Sequence, residues 1–165
     1  MKELFERVSI RKFESRAVEA EKMETILRAA MAAPSAGNQQ PWEFVVVTNR
    51  EKIAALSKSH RYAGCAANAP VVIVPCYRTE GLWAPEYAEI DLAIATENLL
   101  LAITGEGLGG VWLGIAPHKE RMETVERILN LPKTLHAFAL VPVGYPAEHR
   151  KQEDRFDPNR IRFVE

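Results

Sequence analysis

Residues 87–106 constrain the fold of this chain more than any other segment. Ile90, Leu92, Ala93, Ile94, Ala95, Leu99, Leu100, Leu101, Ala102 and Ile103 put apolar side chains most of the way round a helix. A helix of that kind is buried on more than one side. In a chain of 165 residues, one of those sides is expected to lie against a second subunit. The segment is not a membrane span, because its longest apolar region, 92–103, contains Thr96, Glu97 and Asn98 and is too short and too polar.

The remaining elements follow from periodicity and punctuation. Leu4, Phe5 and Val8 predict a short helix over 2–8. Met23, Ile26, Leu27 and Ala30 predict a second over 19–32, stopped by Pro34. Further helices are predicted over 50–59 and 119–130. Strands are predicted over 42–48, 70–77, 108–115 and 135–144, and the unbroken apolar run of 70–77 marks a central strand. Residues 78–86 read as a loop and 146–159 as a polar, irregular tail. Residues 161–164 read as a terminal strand that docks on a partner. No repeat or linker divides the chain, so residues 1–165 form one domain. Helices on both faces of one sheet give a three-layer α+β architecture.

Charge and composition exclude several functions. The formal net charge of -1 provides no general attraction for nucleic acid. Met1–Arg7 has no apolar stretch of a secretory signal, so the expected compartment is the cytoplasm, away from membranes. Cys65 and Cys76 fit neither a redox motif nor a zinc knuckle and read as structural or incidental. His60, His118, His136 and His149 are scattered without ligand spacing, so no metal is expected. No nucleophile elbow or P-loop occurs.

Three segments carry possible chemistry. Gly105-Glu106-Gly107-Leu108-Gly109-Gly110 matches the dinucleotide fingerprint by letter, yet a helix precedes it and a strand follows. That order is the reverse of a Rossmann site. Either the glycines end the long helix, or they let a flat ring approach the backbone. Arg7, Ser9 and Arg11 converge if the chain extends after Val8. They then either grip a phosphate or form a solvated basic turn, with Lys12 pointing to solvent. The Pro34–Trp42 segment offers Ser35, Asn38, Gln39 and Gln40. Their mixed donors and acceptors suit a uracil-like ring, and their composition suits a connector equally.

Four stretches in order, Arg7–Phe13, Pro34–Trp42, Asp91–Trp112 and Val141–Pro146, resemble the nitroreductase family of FMN-dependent oxidoreductases in its short form. The resemblance covers nearly the whole chain. It implies a mixed, mainly antiparallel central sheet with helices on both faces. It also implies an intertwined homodimer with FMN at the subunit interface. By position, Arg7, Ser9 and Arg11 resemble the phosphate and ribityl ligands. Pro34, Ser35, Ala36 and Asn38 resemble the loop that the other subunit supplies. Leu113 and Gly114 resemble the backbone donors near flavin N5 and the carbonyl edge. Arg155 resembles the late basic residue that returns to the phosphate.

The implied chemistry is ping-pong. NADH or NADPH reduces the flavin, and a nitroaromatic, quinone-like or other electron-poor acceptor reoxidises it. No catalytic side chain is implied, and the Gly114 N–H is the group best placed to tune the ring. The chain departs from the family pattern at Val8 and around Cys65, and lacks the helical insertion of longer members. Trp83 and Tyr87 are then the expected lining of the substrate pocket, with Trp83 equally readable as a loop anchor. Other readings are ene reduction, reductive dehalogenation or flavin fragmentation on the same fold, a non-catalytic flavin-storage protein, and a structural dimer without flavin.

Overall fold

The computed structural model describes residues 1–165. Its helices are α1 (Lys2–Glu6), α2 (Ala20–Met31), α3 (Arg50–Leu56), α4 (Ala88–Gly105) and α5 (Lys119–Leu129). Its strands are β1 (Trp42–Val47), β2 (Val71–Arg78), β3 (Gly109–Gly110), β4 (Leu113–Gly114), β5 (Leu135–Ala137) and β6 (Ala139–Gly144). The sheet runs β1-β2-β6-β3, with β5 also on β2 and β4 also on β6. Every strand pair is antiparallel, and a parallel bridge joins Ser9 to Gly110.

Strand β2 shows how the layers arise. Successive side chains of a strand point to opposite faces. Val72, Val74 and Cys76 pack with Ile53 and Leu56 of α3 and Val125 of α5, while Val71 and Ile73 pack with Ile26 of α2 and Leu99 and Ile103 of α4. With both faces covered, β2 is the central strand, as its unbroken apolar run predicts.

Two predicted strands are interrupted, for different reasons. Gly110 pairs with Val143 and Leu113 with Leu140, so the same register puts Val111 opposite Pro142. Proline has no N–H to give to the ladder, and the segment 108–115 splits into β3 and β4. The segment 135–144 splits because its register on β2 shifts by one residue between Cys76↔Ala137 and Ile73↔Val141. The extra residue is a bulge at Phe138. Its N–H still donates to Pro75 O at 2.9 Å, and its carbonyl accepts from Ile115 N and Ala116 N.

Helix α4 buries Leu92, Ala95, Leu99, Leu100 and Ile103 yet keeps another apolar face uncovered. Ile90 is 55% exposed and Ile94 38%. Leu4, Phe5 and Met31, on α1 and α2, are exposed too. The predicted strand at 161–164 is not formed: these residues find no sheet edge in this chain, and Phe163 and Val164 are exposed. No helix is long and apolar enough to cross a membrane.

One side-chain cluster ties the N-terminal segment to the end of β6. Tyr145 Oη donates to Glu19 at 2.8 Å, Arg16 donates to the same carboxylate at 2.8 Å, and the Arg16 guanidinium lies 3.8 Å from the Tyr145 ring centre. The Tyr145 hydroxyl, a backbone N–H and then Arg16 hold the Glu19 carboxyl down at about 2. A depressed carboxyl pKa stabilises the fold above the ordinary glutamate value, and that contribution is lost as pH falls through the folded value. Tyr145→Phe is therefore expected to raise the Glu19 pKa and shift the acid transition to higher pH. A carbon-13 carboxyl titration reads this, and an unmoved Glu19 would refute the assignment.

Candidate functional site

The basic N-terminal segment is brought to the sheet at strand β3. Helix α1 stops at Glu6, two residues earlier than the sequence predicts, and Arg7 (φ -58, ψ 120) already leaves it. The extended chain then lies against β3, where Ile10 N donates to Gly110 O at 3.0 Å. A Cβ on Gly109 would fall 2.8 Å from the Ile10 side chain, so only glycine lets the segment dock this closely. Extension puts Arg7, Ser9 and Arg11 on one side at alternate positions.

Those three residues line a cleft of about 300 Å³ with Val8 and with Arg150, Lys151, Gln152, Glu153 and Arg155 of the tail. The lining thus holds five basic side chains and one acidic one, a setting for a multiply charged anion. Arg7 Nε also lies 3.4 Å from Glu97 of α4, and Arg11 N donates to Glu148 at 2.6 Å. Arg150 and Lys151 were missed by sequence reasoning. The only signal was an adjacent basic pair in a tail that looked irregular.

The glycine-rich stretch serves two purposes. Gly107, at φ +72, forms the left-handed cap of α4, with Leu108 N donating to Ile103 O. Where a side chain would stand, Gly109 meets Ile10 of the N-terminal segment and Gly110 meets Pro142 O and Ile103, so this chain's own atoms fill both spaces. The exposed backbone lies further on, at β4. Leu113 is buried, whereas Gly114 has open space where a side chain would stand. The Gly114 carbonyl accepts from Arg121 Nη1 at 2.9 Å and so is turned away from β6. In extended backbone the N–H and C=O of one residue point to the same edge, so the Gly114 N–H also faces off the strand pair.

Residues 60–65 carry two groups that sense the charges of these regions. At one end, burial raises the Cys65 thiol pKa, with the Arg11 charge opposing it. At the other, burial and then the charges of Arg121 and His118 lower the His60 pKa. His60 Nδ1 accepts from Tyr62 N at 3.3 Å, so the neutral ring carries its proton on Nε2. That atom is buried and has no partner, as is the nearby Ser59 hydroxyl. A buried unpaired donor costs about 1–3 kcal/mol and marks a place for an acceptor from a ligand.

The Pro34–Trp42 segment is not part of the basic cleft. Its anchor is Asp91, in the first turn of α4, which accepts from Ala36 N at 2.9 Å and Gln39 Nε2 at 2.8 Å. Ser35 Oγ accepts from Gln40 N, and Gln40 Nε2 donates to Asn38 Oδ1. Asn38 and Gln40 adopt positive φ, 56 and 46, so the loop is a built turn and more than a connector. Pro34 leads into it. Asp91 lies six residues before the Glu97 contact of Arg7, about 9 Å along the helix axis. Trp83 lies over Gly37 while staying 73% exposed, and Tyr87, half-exposed, precedes α4. Arg7, Ser9, Arg11 and Arg155 therefore come together in one chain. Residues 34–38, 83 and 87 form a second group elsewhere on it. No three His, Cys, Asp or Glu side chains are grouped as a metal site would require.

The chain as a whole is similar to known proteins. The nitroreductase family model matches residues 4–64 and 57–145. A protein of Methanothermobacter thermautotrophicus, provisionally named an NADH dehydrogenase/NAD(P)H nitroreductase, is 41% identical over 94% of this chain and 81% of its own. A crystal structure from Clostridium acetobutylicum, provisionally named an NADH oxidase, superposes with a TM-score of 0.95 at 43% identity, covering 99% of both chains. An FMN-dependent nitroreductase of Clostridium difficile superposes at 0.91 with 28% identity, covering 99% of this chain and 98% of its own.

Proposed function

This chain belongs to the nitroreductase family, and we propose that it is a homodimeric FMN-dependent oxidoreductase. In this reading it uses NADH or NADPH to reduce nitroaromatic, quinone-like or related electron-poor acceptors. The observation that carries the reading is the single cleft shared by Arg7, Ser9, Arg11 and Arg155, and the open backbone at Gly114 adds to it. These residues fit the cofactor. The basic cleft suits its phosphate, and the unpartnered His60 Nε2 and the outward Gly114 N–H offer donors to a ring with carbonyl and ring-nitrogen acceptors.

Bound FMN would supply the redox chemistry, taking hydride from the nicotinamide and passing electrons to the acceptor. The chain's own residues would hold and orient it. Arg7, Ser9, Arg11 and Arg155 would grip the phosphate end, and Leu113 and Gly114 would support the ring edge. The uncovered face of α4, with Ile90 and Ile94, supports a second subunit. In such a dimer, Pro34, Ser35, Ala36 and Asn38 would reach the cofactor of the other subunit. Trp83 and Tyr87, on the same group, would line the acceptor side.

The test is the visible spectrum of the FMN-loaded protein during anaerobic titration with NADH and then NADPH. The expected result is bleaching of the flavin band and its return on adding an oxidant. A bound flavin that neither donor bleaches would overturn the reductase and favour a storage role. A protein that takes up no FMN would overturn the flavin reading itself.

A further inference from the structure

We propose that Gln39, Asp91 and Trp83 fuse the 34–40 loop and the 81–87 loop into one element, so that a disturbance of the acceptor side reaches the flavin-contacting side. The second half of this statement rests on the proposed function; the first does not.

The Gln39 side chain uses both amide hydrogens and its oxygen. Its Nε2 donates to Asp91 Oδ2 at 2.8 Å and to Ala84 O at 2.9 Å, and its Oε1 accepts from Ala84 N at 3.2 Å. One amide thus holds both backbone groups of a residue in the second loop and a carboxylate on α4. Asp91 is only 2% exposed and pairs with no cation; its other oxygen accepts from Ala36 N. A buried carboxylate needs its donors, and both of these donors come from the first loop. The amide cannot flip, because its oxygen must accept from Ala84. A second tie runs the other way. The Trp83 indole occupies the space where a Cβ on Gly37 would stand, 2.0 Å from Nε1. Loosening either loop therefore removes partners from the other. The first loop also holds positive-φ backbone at Gly37, Asn38 and Gln40, which its surroundings must maintain.

Gln39 and Asp91 are positioning residues, and amide hydrogen exchange in the apoprotein tests them without any cofactor. In Gln39→Ala, the Ala84 N–H loses its acceptor directly, but the Ala36 bond to Asp91 is untouched. Fusion of the loops predicts that Ala36 exchange nevertheless accelerates by on the order of tenfold. Trp83→Ala removes an exposed side chain and no hydrogen bond, and is expected to accelerate both Ala36 and Ala84. Ala36 exchange at the wild-type rate in both variants would overturn the proposal.

FMN titration of the same proteins then separates the two halves. Affinity reduced roughly tenfold in Gln39→Ala, with faster Ala36 exchange, supports coupling to the cofactor. Faster exchange with unchanged affinity overturns that coupling. A wild-type protein that binds no FMN overturns the function proposed above and the coupling with it, while the exchange rates still decide whether the loops are fused.

Discussion

Arg11→Ala is expected to weaken FMN binding by about 2 kcal/mol, roughly thirtyfold, as a charge-assisted bond to the phosphate is lost. Arg11 is the cleanest of the cleft residues to truncate. Its backbone is held independently through the Arg11 N bond to Glu148, so the segment keeps its place when the guanidinium is removed. No carboxylate pairs with its side chain, whereas Arg7 also contacts Glu97, and Arg7→Ala would disturb α4 as well. Fluorescence titration of the apoprotein reads the change. Arg11 is exposed, so the difference should shrink as salt is added. Equal affinity in variant and wild type would remove Arg11 from the site.

The largest effect on stability is expected from Leu99→Ala, about 3 kcal/mol, the middle of the range for emptying a packed core position. Leu99 is fully buried on α4, in the cluster with Ile26, Ile73, Ile103 and Val141. It therefore joins α2, α4 and the central strands at one point. Urea unfolding at matched protein concentration is the measurement, because the apparent stability of the proposed dimer would depend on concentration. A loss below about 1 kcal/mol would mean that the site collapses around the missing atoms or that α4 is not seated as described.

The long helix and the central strand were legible because their signals are local. Ten apolar side chains around 87–106 cannot be solvated, whatever the rest of the chain does. The uninterrupted Val71–Val74 run can only sit between two covered faces. Alternation likewise grouped Arg7, Ser9 and Arg11, because side-chain direction in extended backbone is set by spacing alone.

What escaped the sequence depends on which residue stands opposite which. Pro142 breaks the 108–115 strand only because the register places it against Val111, and the bulge at Phe138 is a shift between two pairings of one strand. The same holds for the site. Arg150 and Lys151 join the cleft because the tail folds back across the N-terminal segment. Asp91 became the anchor of the Ser35–Gln40 loop because packing placed the start of α4 beneath it. Composition and period determined the helices, the central strand and the basic segment, since burial and backbone geometry act over a few residues. Only the tertiary structure decided the breaks in the strands, the full set of cations and the partners of the buried carboxylate, since these are contacts between residues far apart in the chain.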